Sequence, residues 1–289
     1  MTRPSQIALI WLIYVAGVLL GLSRPGGAAE PWPLAVVAGL ITGAAMAAHL
    51  VNEAEDAATD RLTLRTRYSG GSGALEASGL RPAVPLWLGL GLSAAVAAAT
   101  WIGWLASVLP GAVVTLLLVG LVGALAYSLP PPAAMHHGWG EPLNAILGGL
   151  ILPLAGVAVA AGAIGLADVL AFLPLTLAVL ASVMATAWPD RAADASTGKG
   201  TMQVRLRPST LRRVHTGVSA GFVLAVVLAA ATGAAPFALA GLLVVPALVV
   251  GTVGYTRRDS PRPNVAAMVG LALVLVVAHG LGLAGGPMA

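Results

Sequence analysis

The chain has 289 residues, 58% hydrophobic and only 9% charged, with a formal net charge of +4. A soluble domain carries roughly 25% charged residues, so in water this chain would expose more apolar surface than its polar side chains could cover, whereas lipid accepts such surface. Its positive charge flanks apolar runs rather than forming a stripe, which argues against a nucleic-acid partner. The absence of cysteine excludes disulfides and thiolate metal sites.

A crossing helix needs about 20 mostly apolar residues. Taken in chain order, such runs fall at 7–22, 32–51, 84–106, 108–127, 143–162, 168–188, 216–233, 235–253 and 264–284. The expected fold class is therefore all-α: a polytopic membrane protein of about nine transmembrane helices, forming one domain over 1–289 with the lipid bilayer as its surroundings. The first run is short for a full crossing. The single charge of Arg3 and the lack of a clear cleavage site argue against a signal peptide there. Breaks are expected at Leu109-Pro110-Gly111 and near Thr232-Gly233. The 36 glycines and 20 prolines suit a membrane bundle, where small residues let helices approach closely.

The connections are unequal. Polar segments at 52–83, 128–142, 189–215 and 254–263 alternate with short ones, and nine spans place all four on one side. That side carries Arg3, Arg61, Arg65, Arg67, Arg81, Arg191, Lys199, Arg205, Arg207, Arg212, Arg213, Arg257, Arg258 and Arg262; the other has only Arg24. By the positive-inside rule the N-terminus and the long loops are cytoplasmic, the C-terminus is outside, and the chain is integral to the cell membrane.

Two acidic clusters stand out in the cytoplasmic loops. In the first, Asn52, Asp56 and Asp60 recur every four residues and would share one helix face, with Glu53 beside it. In the second, Asp190 and Asp194 repeat that interval. Each follows an even-numbered span. Like charges at this spacing repel unless something neutralises them. Five of the chain's 11 acidic residues are Glu53, Asp56, Asp60, Asp190 and Asp194, which weakens a reading of scattered solvated charges. Hard oxygen donors at a membrane edge suit Mg²⁺ held jointly by carboxylates and substrate phosphates, and a chelated diphosphate becomes a good leaving group.

Nearby basic residues could clamp phosphate oxygens: Arg61, Arg65 and Arg67 after the first cluster, Lys199 after the second. Most other basic residues read as inside-positive anchors. Ser69-Gly70-Gly71-Ser72-Gly73 is either an anion cradle or a plain linker, and Gly198-Lys199-Gly200-Thr201 lacks the glycine pattern of a P-loop. Tyr127 and Ser128 end the fourth run and could face the same cavity. Glu141 opens the fifth, where a helix cap is the plainer role. His49, His136 and His137 lack metal spacing, and Asp168 and His279 fall on the opposite side. Trp101, Trp104 and Trp139 suit interfacial anchoring.

Together these segments resemble the UbiA superfamily of intramembrane prenyltransferases. That family carries Asn-Asp-x-x-Asp-x-x-x-Asp after its second helix, matched here by Asn52, Glu53, Asp56 and Asp60, and Asp-x-x-x-Asp after its sixth, matched by Asp190 and Asp194. Its branch that prenylates dihydroxynaphthoate in menaquinone synthesis has a Gly-Lys-Arg-Thr-like segment, matched with one change by Gly198 to Thr201. Arg67 with the 69–74 stretch, and Tyr127-Ser128 with Gly138 to Glu141, are similar to further segments of that branch. Departures fall at Glu53, at Ala133, Met135, His136 and His137 of the central loop, and at Thr186 and Pro189 before the second motif.

The resemblance implies a nine-helix UbiA-like bundle and two Mg²⁺ ions. One would be held by Glu53, Asp56 and Asp60 with Asn52, the other by Asp190 and Asp194. The partners implied are a polyprenyl diphosphate, gripped also by Arg67 and Lys199, and a hydrophobic acceptor, aromatic in the naphthoate branch. A non-aromatic lipid or carotenoid acceptor remains open. So do a transporter, which would favour charges at mid-membrane on broken helices, and a non-catalytic lipid-binding protein.

Overall fold

The computed structural model describes residues 3–28, 30–63, 66, 68, 71–235 and 237–284. Among them there are helices and no strand. In chain order the helices are α1 (Pro4–Leu22), α2 (Pro31–Glu55), α3 (Ala57–Leu62), α4 (Ala74–Ser78), α5 (Ala83–Leu105), α6 (Gly111–Ser128), α7 (Gly140–Ile146), α8 (Leu152–Ala161), α9 (Leu166–Ala187), α10 (Arg191–Ser196), α11 (Met202–Arg205), α12 (Pro208–Ala231), α13 (Val245–Gly254) and α14 (Arg262–Ala284). Helices α7 and α8 join through a π turn at Leu147–Ile151 into one segment, Gly140–Ala161. Pro153 explains the turn: it offers no N–H to the preceding ladder, and a wider turn absorbs the missing bond.

Among the described residues, eight segments are long and apolar enough to cross a membrane: α1, α2, α5, α6, Gly140–Ala161, α9, α12 and α14. The first run proves longer than expected, because α1 begins at Pro4, where a fixed φ and a missing N–H cost a helix nothing. The eighth run departs the other way. It is a 3₁₀ stretch, Ala238–Val244, followed by α13, which starts afresh at Val245 with Pro246 in its first turn. A 3₁₀ helix rises more steeply than an α-helix, so Ala238–Gly254 still reaches about 29 Å. Nine crossings therefore fit the geometry, the eighth by a short and partly 3₁₀ route.

Glycines set the tightest packing. α1 runs along α8, where a Cβ on Gly156 would come within 2.5 Å of the Tyr14 carbonyl and one on Gly17 would overlap Pro153. Phe172, Leu175, Phe222 and Val113 are fully buried at the centre. Outward-facing positions are apolar as well: Trp87, Ile102, Leu105, Val122, Leu243 and Val253 are all exposed. That inversion of a soluble surface is what lipid contact requires.

The two ends of the bundle differ. At one end the connections are short, and Arg24 pairs with Asp168 at 2.6 Å while the second Asp168 oxygen accepts the Gly165 N–H at the start of α9. Asp168 is thus a cap and an ion-pair partner, consistent with its expected distance from any chemistry. At the other end α3, α4, α10, α11 and the 3₁₀ turn Ala134–His136 form a polar crown over the helices.

Candidate active site

The crown brings the two acidic motifs together. Helix α2 carries Asn52 and Glu53 and ends at Glu55; Asp56 forms a break, and α3 then carries Asp60. Helix α9 runs to Ala187, and Asp190 sits at the N-cap of the short α10, which carries Asp194. The Thr59 and Thr197 hydroxyls join α3 to the end of α10 at 2.9 Å.

Lys199 lies between the motifs. Its Nζ is 2.7 Å from Asp56 Oδ1 and 3.9 Å from Asp194 Oδ1. The local fold places it there: the left-handed Gly198 ends the α10 turn, and the Lys199 N–H donates to the Asp194 carbonyl at 2.9 Å. Burial disfavours the ammonium, but Asp56 and Asp194 outweigh that and hold its pKa above the ordinary lysine value. Asn52 Nδ2 donates to the other Asp56 oxygen at 2.9 Å, and Thr201 Oγ1 donates to Asp194 Oδ2 at 3.3 Å.

Helix-type bonds run on through Asp56, from the Asp56 N–H to the Asn52 carbonyl at 2.8 Å and from the Asp60 N–H to the Asp56 carbonyl at 2.9 Å, so the four-residue spacing keeps these residues on adjoining positions. Asp56 reaches Lys199, and Asp60 meets the turn before α4. Glu53, 6% exposed, accepts the Ser72 hydroxyl. Glu53 and Asp60 line a small pocket with Arg61, Gly73 and Glu76. Gly71, at φ +66°, passes so close to the Asp60 carboxyl that a side chain there would collide with it. Burial raises the Asp60 pKa to about 6, with Asp56 and Glu53 adding to the rise. Burial also raises that of Asp194, against the pull of Lys199.

The central loop completes the site from the side. Met135, 1% exposed, brings its sulfur to 3.8 Å from the Asn52 amide. Tyr127 and Met135 both pack against Gly140, and Ser128 is buried. Glu141 accepts the Met202 N–H at 3.1 Å and so ties the start of α7 to the loop carrying Lys199; its other oxygen is buried without a partner. Gly200 meets the same loop: a Cβ there would lie 2.5 Å from the His136 carbonyl. Of the site residues expected from the sequence, Arg67 lies outside the described residues, as do Arg65, Ser69 and Gly70.

Thr59 and Thr197 were not legible as site residues, because a lone hydroxyl carries no spacing signal; Ser72 belonged to the glycine-rich stretch read as a cradle or linker, but its bond to Glu53 was not foreseen. Gln203 was equally silent: buried, it bonds the Met184 carbonyl at 3.0 Å and the Tyr255 hydroxyl at 3.3 Å, which anchors α11 to the bundle.

Among the described residues, no group of three His, Asp or Glu side chains converges in metal-holding geometry. Glu53, Asp56 and Asp60 are therefore not assembled into one three-carboxylate ligand set. Mg²⁺ does not require such a cage; it keeps several waters and takes one or two carboxylates together with substrate phosphates. The donor set fits that demand. The oxygens are hard, and burial, with neighbouring carboxylates adding to it, raises Asp60 and Asp194, so a cation arriving there would meet partly desolvated acids.

A model of the UbiA prenyltransferase family matches residues 9–278. The chain belongs to the UbiA prenyltransferase family. Solved structures agree in fold. The apo structure of a UbiA homolog from Aeropyrum pernix K1 has a TM-score of 0.71 at 19% identity, over 99% of each chain. A UbiA homolog from Archaeoglobus fulgidus bound to DMAPP and Mg²⁺ has a TM-score of 0.69 at 14% identity, over 97% of each chain. A structure of digeranylgeranylglyceryl phosphate synthase has a TM-score of 0.59 at 12% identity, over 96% of this chain and 99% of that one. No curated protein matches the sequence significantly. The UbiA fold thus accounts for nearly the whole chain, and both acidic motifs lie inside the matched span.

Proposed function

We propose that the protein is an integral membrane, Mg²⁺-dependent prenyltransferase that moves a polyprenyl group from its diphosphate to a hydrophobic acceptor. The observation that carries this is the meeting of Asp56 and Asp194 at Lys199, two motifs distant in sequence gathered around one cation. It is supported by the family match and by the Archaeoglobus homolog that binds DMAPP and Mg²⁺.

In this reading Asn52 with Asp56, and Asp190 with Asp194, are the groups that would hold Mg²⁺. Glu53 and Asp60 add charge from the adjoining pocket. The metal would supply neutralisation of the negative charge that builds on the diphosphate as the allylic carbon–oxygen bond breaks. Lys199, a fixed cation in a buried setting, serves the same charge, and Arg67 would add to it. Asp56 and Asp194 hold the Lys199 ammonium between the motifs, from where it would turn to the diphosphate once the carboxylates are taken by Mg²⁺. Glu141 and Gly200 hold the central loop against the Lys199 loop, and in this reading the buried Tyr127, Ser128 and Met135 would help shape the wall of the acceptor cavity. Apolar helix faces would take the isoprenoid tail. An electron-rich acceptor atom then attacks the allylic centre as diphosphate departs; a naphthoate carbon would go on to lose carbon dioxide and a proton, and a lipid alcohol oxygen would lose its proton, to solvent or a base.

For the acceptor we favour an aromatic quinone precursor of the dihydroxynaphthoate kind, on the Gly198-Lys199-Gly200-Thr201 and Tyr127-Ser128 segments. A non-aromatic lipid alcohol is the second reading, favoured by the fold shared with digeranylgeranylglyceryl phosphate synthase. In this reading the crown end, where basic residues crowd, faces the cytoplasm by the positive-inside rule. The test is incubation of the purified protein with labelled geranylgeranyl diphosphate, Mg²⁺ and either acceptor class, with product mass as the readout. Prenylated naphthoate supports the first reading and prenylated glycerol phosphate the second; no product, with diphosphate intact, sinks both.

A further inference from the structure

At the crown end, helices α12 and α13 part around an open cleft of about 720 Å³. Its walls are Ser209, Arg212, Arg213 and Thr216 from α12, with Thr252 and Arg257 from α13 and the turn beyond it. The α12 residues recur at intervals of three and four, so one helix face presents all of them. Across the cleft, Arg212 reaches the Thr256 hydroxyl at 2.8 Å, and the Ser219 and Thr252 hydroxyls meet at 2.8 Å to join the two helices.

The three arginines have no carboxylate among the described residues within ion-pair distance. The one acidic side chain in the adjoining turn, Asp259, pairs with Arg191 instead. Inside-positive anchoring accounts for many arginines at this end. It does not account for three of them converging with three hydroxyls on one cavity. Arg258, next in sequence to Arg257, is exposed and lies outside the cleft.

Away from the crown, the same two helices turn apolar side chains outward. Leu224 and Val227 of α12 and Val249 and Val250 of α13 are exposed, Leu224 by 68%, and Val253 carries the apolar surface into the cleft wall itself. A ligand that fills the cleft with an anionic group therefore meets lipid-like surface directly below it.

We propose that this cleft binds the headgroup of an anionic phospholipid, its phosphodiester among Arg212, Arg213 and Arg257 and its acyl chains along the apolar faces of α12 and α13. Arginine forks match phosphate oxygens; the Thr216 and Thr252 hydroxyls, which donate to the Arg212 and Leu248 carbonyls, can still accept from a glycerol headgroup, and Ser209 adds a further hydroxyl. The site shares no residue with the acidic crown, so its fate is independent of the prenyl-transfer reading.

Native mass spectrometry of the full chain tests this, with added phosphatidylglycerol, phosphatidylcholine of the same acyl chains, and inorganic phosphate as separate probes. The expected result is preferential retention of phosphatidylglycerol, weakened roughly fivefold by each of Arg213→Gln and Arg257→Gln. Arg258→Gln should leave retention unchanged. Should an arginine variant fail to fold, Thr216→Leu, on the exposed part of the same wall, is expected to lower retention by filling the cleft. Equal retention of phosphatidylcholine, an equal loss in Arg258→Gln, or displacement of lipid by phosphate at matched concentration would each overturn the proposal.

Discussion

Lys199 and Asp56 stand 143 positions apart in sequence and 2.7 Å apart in space. Their contact defines the site, because it carries the ammonium of the second motif into the first. Replacing Lys199 by Met should lower turnover about a hundredfold, the scale of losing one preorganised charge in a dry site. Asp56→Ala and Asp190→Ala should each abolish product. Thermal melts of all three variants separate lost chemistry from lost fold; near-wild-type turnover in folded Asp56→Ala would remove the first motif from the mechanism.

Gly200 is held by contact rather than by conformation. Because a Cβ there would press on the His136 carbonyl at 2.5 Å, Gly200→Ala should cost about 1–3 kcal/mol as an overpacked site. Gly200→Arg, which restores the residue usual in the naphthoate-like segment, should displace the 133–139 loop. Faster limited proteolysis within that loop is the readout, and unchanged cleavage would show that the loop tolerates the side chain.

Metal dependence should follow pH in a defined sense. Burial, then Asp56 and Glu53, raises Asp60 from 3.8 to about 6, and burial raises Asp194 in the same direction. Without metal, the folded protein keeps a proton on Asp60 that the unfolded chain releases, so stability falls as the pH rises from about 4 to about 6. A divalent cation relieves that repulsion only after the proton has left. The rise in melting temperature on adding Mg²⁺ should therefore be larger above pH 6 than below it, and Asp60→Asn should flatten the difference. Chelation should abolish prenyl transfer throughout.

Arg24 and Asp168 supply a contrast at the opposite end. Arg24→Gln leaves the Asp168 carboxylate, 9% exposed, without its ion-pair partner, at a cost of about 2 kcal/mol. The expected outcome is a lower melting temperature with an unchanged Mg²⁺ requirement. A shifted Mg²⁺ requirement would mean that this end is coupled to the crown.

Much of the architecture follows from local properties of the chain. Apolar runs of the length of a bilayer dictate crossing helices whatever their neighbours, and Asp190 and Asp194 announce themselves by an interval that any helix converts into proximity. The eighth crossing was harder to place, because hydropathy does not distinguish a 3₁₀ stretch from an α-helix; the restart at Pro246 decides it. The four-residue spacing of 52–60 survives the irregularity at Asp56, because the Asp56 and Asp60 amides still bond the carbonyls four residues back. What spacing could not show is the partner each carboxylate meets: Ser72 for Glu53, Lys199 for Asp56 and the Gly71 turn for Asp60.

The sequence by itself determined that this chain folds into long apolar helices, roughly where they begin and end, and that two carboxylate motifs follow two of them. Those are consequences of composition and short-range periodicity. Only the tertiary structure decided which groups meet: Lys199 between Asp56 and Asp194, Glu141 on the Met202 amide, His136 against Gly200, and three arginines around the cleft of α12 and α13. Each of these contacts joins segments that no local period relates, and each is fixed by how closely packed helices set the reach of the loops between them.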